Sequence, residues 1–532
     1  MREIRYEVRD HVATLTIDRP EKRGAMTYAM LDEFAASVAR AGDDPDVVVL
    51  LVTGVPGSFC AGIDLADLAG RDPSNRGRGD GDGVPLLMGC PKPVVCAVDG
   101  MAVGMGAEFA TQADVRLVSS RARFRWNFVH RGLVSDTGAG TWLLPRQIGV
   151  AAASRLLYTG DDLDADEALS LGFAASVHEP DELPGRGGRV RRKDRHRIAV
   201  RAGQDQTATA RRRRPGPRPA RPGDPDHHGR MLRLGGSCRG DRVVPGEAAG
   251  PVHWPLIIRI GEDTMTEQRV LIEITDGVAD VRLNRAEKRN ALDPAMFAGI
   301  VEAGETLKKD PSVRVVVLSG EGPDFCAGLD FGSFRAMRDG ERLSASAAVP
   351  PGNGPAKATG QRAAYVWAEL EVPVIAAVTG NALGGGLQIA LGADIRIVSP
   401  DATLSVFEVA WGLIPDMTGS QLLPELVGRD VAKELTLTAR KVGGEEAVAI
   451  GLATKLDPEP RKAALALARS IAERNPHAVR AAKRLLDMAG RVDLDTGFAA
   501  EQTEIGALIG SPNQVEAVTA AFEKRAPVFK DV

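Results

Sequence analysis

Cysteine, unbalanced charge and long apolar runs are all scarce in this chain. Its 532 residues include five cysteines, at 60, 90, 96, 238 and 326. An odd, small number with no CxxC spacing supports neither a disulfide framework nor a zinc site. With 67 basic and 71 acidic residues the formal net charge is −4, which argues against a polyanion-binding surface spread over the whole molecule. No apolar run approaches the roughly 20 residues a spanning helix needs. The start, MREIRYEVRDHVATLTI, alternates like a strand and has no apolar signal core. These absences lead to the expectation of a soluble protein of the reducing cytoplasm, without a membrane partner.

A repeat is present instead, in a chain long enough for two or three domains. IDRPEKRGAM (17–26) returns as LNRAEKRNAL (283–292), and SFCAGID (58–64) returns as DFCAGLD (324–330). Lys22 matches Lys288 and Phe59 matches Phe325, both 266 positions apart; Gly100 matches Gly380 and Asp136 matches Asp416 at 280; Gly172 matches Gly451 at 279. Offsets this steady indicate a tandem duplication. Each copy alternates strand-like and helix-like stretches: HVATLTID, MLDEFAASVARA, DVVVLLVTG, PVVCAVDG and ADVRLVSS in the first. That order predicts an α/β fold with its turns gathered on one side, where a ligand could sit.

The middle belongs to neither copy. From about 181 to 264 the chain is crowded with arginine, proline and glycine, including RRRRPGPRP (211–219), and Lys193 is its only lysine. Without an apolar period it is expected to be a largely disordered linker. GC-rich coding sequence read out of frame, with Met265 opening a once separate chain, gives the same composition, and sequencing the DNA decides between them. Nucleic-acid binding by this segment is the lesser alternative; it would be steeply salt-dependent and lost on deleting 186–242.

The turn TGNALGGGLQIALGAD (379–394) places Gly384, Gly385 and Gly386 between an apolar strand and a helix. Such a turn lets a ligand approach the backbone and presents free amides at a positively polarised helix start. Were the DFCAGLD turn beside it, the Leu329 and Gly385 amides could converge on one carbonyl oxygen. A phosphate site or plain tight packing fits the same glycines.

Taken together, RAEKRNAL, DFCAGLD, EVPVIAAVTGNALGGG, ALGADIRIVSPDATLSVFEVAWGLIPD and EAVAIGLATKL resemble the crotonase (enoyl-CoA hydratase/isomerase) family, over about 3–180 and nearly all of 268–530. The resemblance implies two spiral β-β-α domains, 1–180 and 265–532, and usually trimers or hexamers. It implies an acyl-CoA thioester as substrate, with no metal or redox cofactor. Its oxygen would be held by Leu329 and Gly385 in copy two, and by Ile63 and Met105 in copy one. The AGxD turns, Ala327 with Asp330 and Ala61 with Asp64, would lie near the CoA. Polarising that carbonyl acidifies the α-carbon and makes an enoyl β-carbon electrophilic, so a nearby carboxylate can move protons or activate water.

Hydratases of the family typically use two glutamates, and neither copy has the pair. Copy one keeps the first as Glu108 but has Phe128 at the second; copy two has Gln388 at the first and Glu408 at the second. Glutamine orients a water but exchanges no proton at neutral pH. Asp136 and Asp416 match a position that dienoyl-CoA isomerases use for proton transfer and aryl-CoA dehalogenases use as a nucleophile; a helix cap is the plainer reading of both. Glu108 and Glu408 could likewise merely favour a helix start. His130 is a lone histidine with no partner acid nearby in sequence.

Copy one departs further: Gly24 stands where copy two has Asn290, Met105 replaces the middle glycine, and no helical tail follows 180. The expectation is that copy two, closed by its own tail, is the better-preserved site, and that copy one needs copy two to fold or is inactive. Isomerisation suits these residues better than hydration. A catalytically weak acyl-CoA-binding scaffold, or a hydrolase or dehalogenase acting through Asp136, is the alternative.

Overall fold

A computed structural model of the chain describes residues 3–69, 87–135, 140–183, 256–257, 268–339 and 354–532. Asp136 and nearly all of the arginine-rich middle lie outside the described residues.

Copy one contains β1 (Ile4–Arg9), β2 (Val12–Ile17), β3 (Val49–Thr53), β4 (Ser58–Cys60), β5 (Val94–Val98), β6 (Met101–Val103), β7 (Val115–Ser119), β8 (Arg123–Arg125), β9 (Leu163–Asp164) and β10 (Ser176–His178). The main sheet runs β1-β2-β3-β5-β7-β10, and a small one runs β4-β6-β8-β9. Only β1 and β2 pair antiparallel in the main sheet. Alternation in VATLTI buries Ala13, Leu15 and Ile17 on one face. The inner strands β3, up to its last residue Thr53, and β5 are apolar and buried, as expected of parallel strands covered on both faces.

Copy two repeats this plan with β11 (Leu256–Ile257), β12 (Val270–Thr275), β13 (Val278–Leu283), β14 (Val315–Gly320), β15 (Val374–Val378), β16 (Asn381–Leu383), β17 (Ile395–Val398), β18 (Thr403–Ser405), β19 (Val442–Gly443) and β20 (Lys455–Leu456). Its sheets run β11-β12-β13-β14-β15-β17-β20 and β16-β18-β19. Helix starts follow from local chemistry. Thr27 caps helix Tyr28–Asp43 by accepting the Met30 amide, and Asp293 caps Pro294–Leu307 by accepting that of Met296.

The tail behaves differently from expectation. Helix Pro460–Ala472 stays with copy two, laying Ala464, Ala468 and Ile471 on the sheet face that carries Val315, Val317 and Ile375. The next three helices then cross to copy one. Helix Pro476–Met488 packs on Val150–Thr159, and Pro512–Glu523 packs on the one-turn helix Asn127–Arg131. Asn475 marks the crossing: its Oδ1 accepts the His477 amide at 3.1 Å and its Nδ2 donates to the Gly132 carbonyl at 3.0 Å. Thr141 donates to Glu501, and Trp142 meets Phe498 with ring centroids 6.3 Å apart. One apolar core therefore joins copy one to Ala478, Val479, Ala481, Leu485 and Leu486. The tail does not close copy two; it closes copy one. Buried Lys483, paired with Asp394, keeps the crossing helix tied to copy two as well.

Among the described residues no helix is long and apolar enough to cross a membrane, and no cluster of three or more His, Cys, Asp or Glu could hold a metal ion.

Asn475→Ala removes a helix cap and leaves the buried Gly132 carbonyl without its donor. It is expected to destabilise the protein by about 1–3 kcal/mol in urea unfolding, lowering the midpoint without altering the slope.

Candidate active sites

Both copies bring the two expected turns together. In copy two, Leu292 donates to the Gly328 carbonyl at 2.8 Å and Asp330 donates to Leu292 at 3.0 Å, so the ladder passes over the Leu329 amide. Gly385 opens helix Gly385–Leu391, where the first amides have no intrahelical acceptor. The turns touch: a Cβ built on Gly328 would lie 4.0 Å from the Gly385 nitrogen. Copy one matches this. Met26 donates to Gly62 at 2.7 Å, Asp64 donates to Met26 at 2.8 Å, and a Cβ on Gly62 would lie 3.8 Å from the Met105 nitrogen. Two amides aimed at one spot can hold an oxygen that gains negative charge.

Met105 leaves its turn undistorted. Gly104 has φ 53° and ψ −116°, and Gly384 has φ 53° and ψ −122°. The left-handed φ falls on the first glycine, which both copies keep, so Met105 adopts ordinary helical geometry and rests against the core.

In copy two the carboxylate of Glu408 lies over this turn. A Cβ on Gly384 would come within 3.2 Å of Glu408 Oε1. Gln388, fully buried, fixes that carboxylate. Its Oε1 accepts the amides of Met417 and Gly419, both at 2.9 Å, so its Nε2 must face Glu408 Oε1, to which it donates at 2.5 Å. Glu408 Oε2 is left buried with no hydrogen bond among the described residues. Burial pushes the Glu408 carboxyl above its ordinary range; Gln388 opposes the shift and the charge of Asp416 adds to it. Asp416 is exposed and caps nothing: helix Gly419–Val427 has Thr418 at its N-cap, without a side-chain bond.

Copy one reverses the arrangement. Glu108 is fully buried on helix Met105–Gln112, and its Oε2 accepts the Gly140 amide at 3.1 Å, the counterpart of the Gly419 contact. At the second position the backbone places Phe128, but the side chain over the turn is that of Asn127: a Cβ on Gly104 would meet its Oδ1 at 3.1 Å. Matching residue to residue missed this, because a one-turn helix lets either of two neighbours reach the same spot. Asn127 opens the copy one turn as Glu408 opens that of copy two, and that shared place was the available signal.

With this geometry in view, comparison with known proteins is informative. The model of the enoyl-CoA hydratase/isomerase family matches residues 7–189 and 273–532. The chain belongs to that family. It is 35% identical over 318 residues to human mitochondrial methylglutaconyl-CoA hydratase, covering 56% of this chain and 90% of that protein. To the crotonyl-CoA hydratase of Syntrophomonas wolfei it is 33% identical over 272 residues, covering 50% and 99%. The crystal structure of an enoyl-CoA hydratase from Bacillus anthracis superposes with a TM-score of 0.46 and 31% identity, over 49% of this chain and 99% of that one.

As a family member the chain is an acyl-CoA-processing enzyme, and it contains two crotonase-like α/β domains. Several candidate residues turn out to hold the frame. Asp330 caps helix Phe331–Arg338 through the Gly332 amide and pairs with Arg285 at 2.7 Å. Burial works against its charge, yet the Gly332 amide and Arg285 hold its carboxyl below the ordinary range. Asp64 is held low in the same way, by the Ala66 amide and Arg19. Ala327 and Ala61 donate to Arg289 and Arg23 at 2.9 and 3.1 Å, fixing each turn to the preceding loop. Asn290 Nδ2 clamps that loop in copy two by donating to Glu321 and Asp324; Gly24 leaves copy one without this bond. His130 is no free base: its Nε2 lies 2.7 Å from the Thr159 carbonyl, and burial lowers its pKa.

Burial pushes the thiols of Cys60 and Cys326 up to about 12. Iodoacetamide at neutral pH should therefore leave both unmodified in the folded chain and label them only after denaturation; native labelling at either position would contradict their burial.

Proposed function

We propose that copy two isomerises enoyl-CoA thioesters in preference to hydrating them. The observation that carries this reading is the lock on Gln388, whose carbonyl is bound by two amides so that its NH2 group holds a single carboxylate over the turn. The Leu329 and Gly385 amides would receive the thioester oxygen. Glu408 takes a proton from the α-carbon of a β,γ-enoyl ester, and the electron pair passes through the thioester onto that oxygen. Returning the proton to the γ-carbon moves the double bond into conjugation and restores Glu408; where Asp416, the second proton carrier at the exposed side, delivers its own proton instead, Glu408 hands its proton on to the Asp416 carboxylate. Every proton passes through side chains, and no metal or redox group is assigned a part. In copy one Ile63 and Met105 are the corresponding donors and Glu108 the acid/base, with Asp136 outside the described residues. A cytoplasmic, trimeric or hexamer-like assembly belongs to the same proposal.

In a chain that also carries Glu108→Gln, Glu408→Gln should lower isomerisation by about 10²–10⁴-fold while CoA-ester binding persists. An unaltered rate on every ester overturns the assignment, and hydration outpacing isomerisation in the unmutated chain overturns the reaction preference.

The pH profile offers a second check. Glu408 must be ionised to accept a proton, so activity falls as pH drops through its raised pKa. Gln388→Ala removes a donor to the charged form and should move that acid limb to higher pH, whereas Asp416→Asn removes a neighbouring charge and should move it lower. Limbs that stay in place in both variants would show that another group controls the profile.

A further inference from the structure

The two copies differ in what covers the site as well as in which position bears the carboxylate. Gly132 and Gly412 occupy the same place after the one-turn helix. A Cβ on Gly132 would meet Gln514 and Ala517 of the tail at 3.1 and 3.2 Å, and one on Gly412 would meet none of the described residues within 4 Å. The neighbours follow suit. Val129 and Val134 are 4% and 2% exposed, while their counterparts Val409 and Ile414 are 37% and 72% exposed. The bare rim of copy two continues from its proposed site on both sides. Phe331 directly follows Asp330, and Trp411 ends the turn that Glu408 opens. The rings of Phe331 and Phe334 lie 6.3 and 4.8 Å from that of Trp411.

We propose that the chain holds two acyl-thioester sites of reciprocal make-up that divide substrates by acyl size. The covered site of copy one, with Glu108 and Asn127, takes short acyl groups. The open site of copy two, with Gln388 and Glu408, takes long apolar chains laid across Phe331, Phe334 and Trp411. Each site pairs one carboxylate, which exchanges protons, with one carboxamide, which orients but does not exchange them. The amide and the acid have traded places between copies, so each copy has its own proton donor and neither is a spare of the other. Each methylene that the copy two rim takes out of water is worth about fourfold in affinity. Tail residues Gln514 and Ala517 occupy the place at Gly132 that is open at Gly412. This inference rests on the reading that Glu408 moves protons in copy two.

The test uses the full chain with β,γ-enoyl-CoA esters of four and of twelve carbons. Glu108→Gln should lower the short-to-long ratio of kcat/KM by at least about 30-fold, and Glu408→Gln should raise it as much. Parallel losses on both esters in both variants overturn the division. Loss of both activities in Glu408→Gln with an unmoved ratio in Glu108→Gln also overturns it, while leaving the Glu408 assignment standing. Glu408→Gln with unaltered rates on both esters overturns that assignment itself. Trp411→Ala and Phe331→Ala, at exposed positions that leave both acids in place, supply an independent arm. They should raise the long-to-short ratio of KM by about tenfold, and an unmoved ratio overturns the proposal.

Discussion

Everything at the two sites depends on how closely a helix start can sit on a turn. A Cβ on Gly386 would run into the Cys326 carbonyl, and one on Gly106 would run into that of Cys60. With any larger residue there the helix would have to lift, and the amides of Leu329 and Gly385, or of Ile63 and Met105, would part. The rest of the layout serves this contact. Parallel β14 and β15 deliver the turn and the helix to the same end of the sheet, and the pairing of Cys326 with Ala382 in β16 fixes their register. Arg285 and Asp330, like Arg19 and Asp64, brace the turn from its other side.

The same frame explains why the first acid position tolerates glutamine. What the fold needs from that residue is an acceptor for the amides that open the next helix segment: Glu108 accepts from Gly140, and Gln388 accepts from Met417 and Gly419. A carboxylate and a carboxamide meet that need equally, since each offers an sp² oxygen. They differ only in the second atom, which faces the site. Exchange of Glu for Gln therefore costs the fold little and changes the chemistry completely, as expected of a position where structural and chemical duties fall on different atoms of one side chain.

Much of this was legible in sequence. The alternation in HVATLTID, the apolar runs VLLV in β3 and VVCAV in β5, and the glycines at 104, 106, 384 and 386 record backbone requirements directly, and the structure realises each. Asn127 was not legible, because counting along the chain assigns Phe128 to the place whereas side-chain reach from a one-turn helix assigns Asn127. Methionine fits at 105 because, of the neighbouring turn positions, only the first, Gly104 or Gly384, carries the positive φ. Sequence could mark the tail as amphipathic helices, but a helical period says which face is buried and not against which of two similar cores.

That ambiguity is the physical consequence of carrying two similar domains in one chain. Two copies of one fold present two similar surfaces to a single tail, and covalent linkage keeps both at high effective concentration. The choice then falls to differences between the copies. Copy one offers the tail a hydrogen-bond acceptor at Gly132, a hydroxyl at Thr141 that donates to Glu501, and an indole at Trp142 for Phe498. Copy two offers Lys483 a buried partner in Asp394 and its sheet a cover in helix Pro460–Ala472. The tail satisfies both by splitting after Ala472, which unites the halves into one packed body. Because three of its four helices can lie over one site only, the two sites would be unequal even if their carboxylates were the same. With the acid positions exchanged as well, cover and side-chain chemistry differ together between two domains of one fold in a single chain.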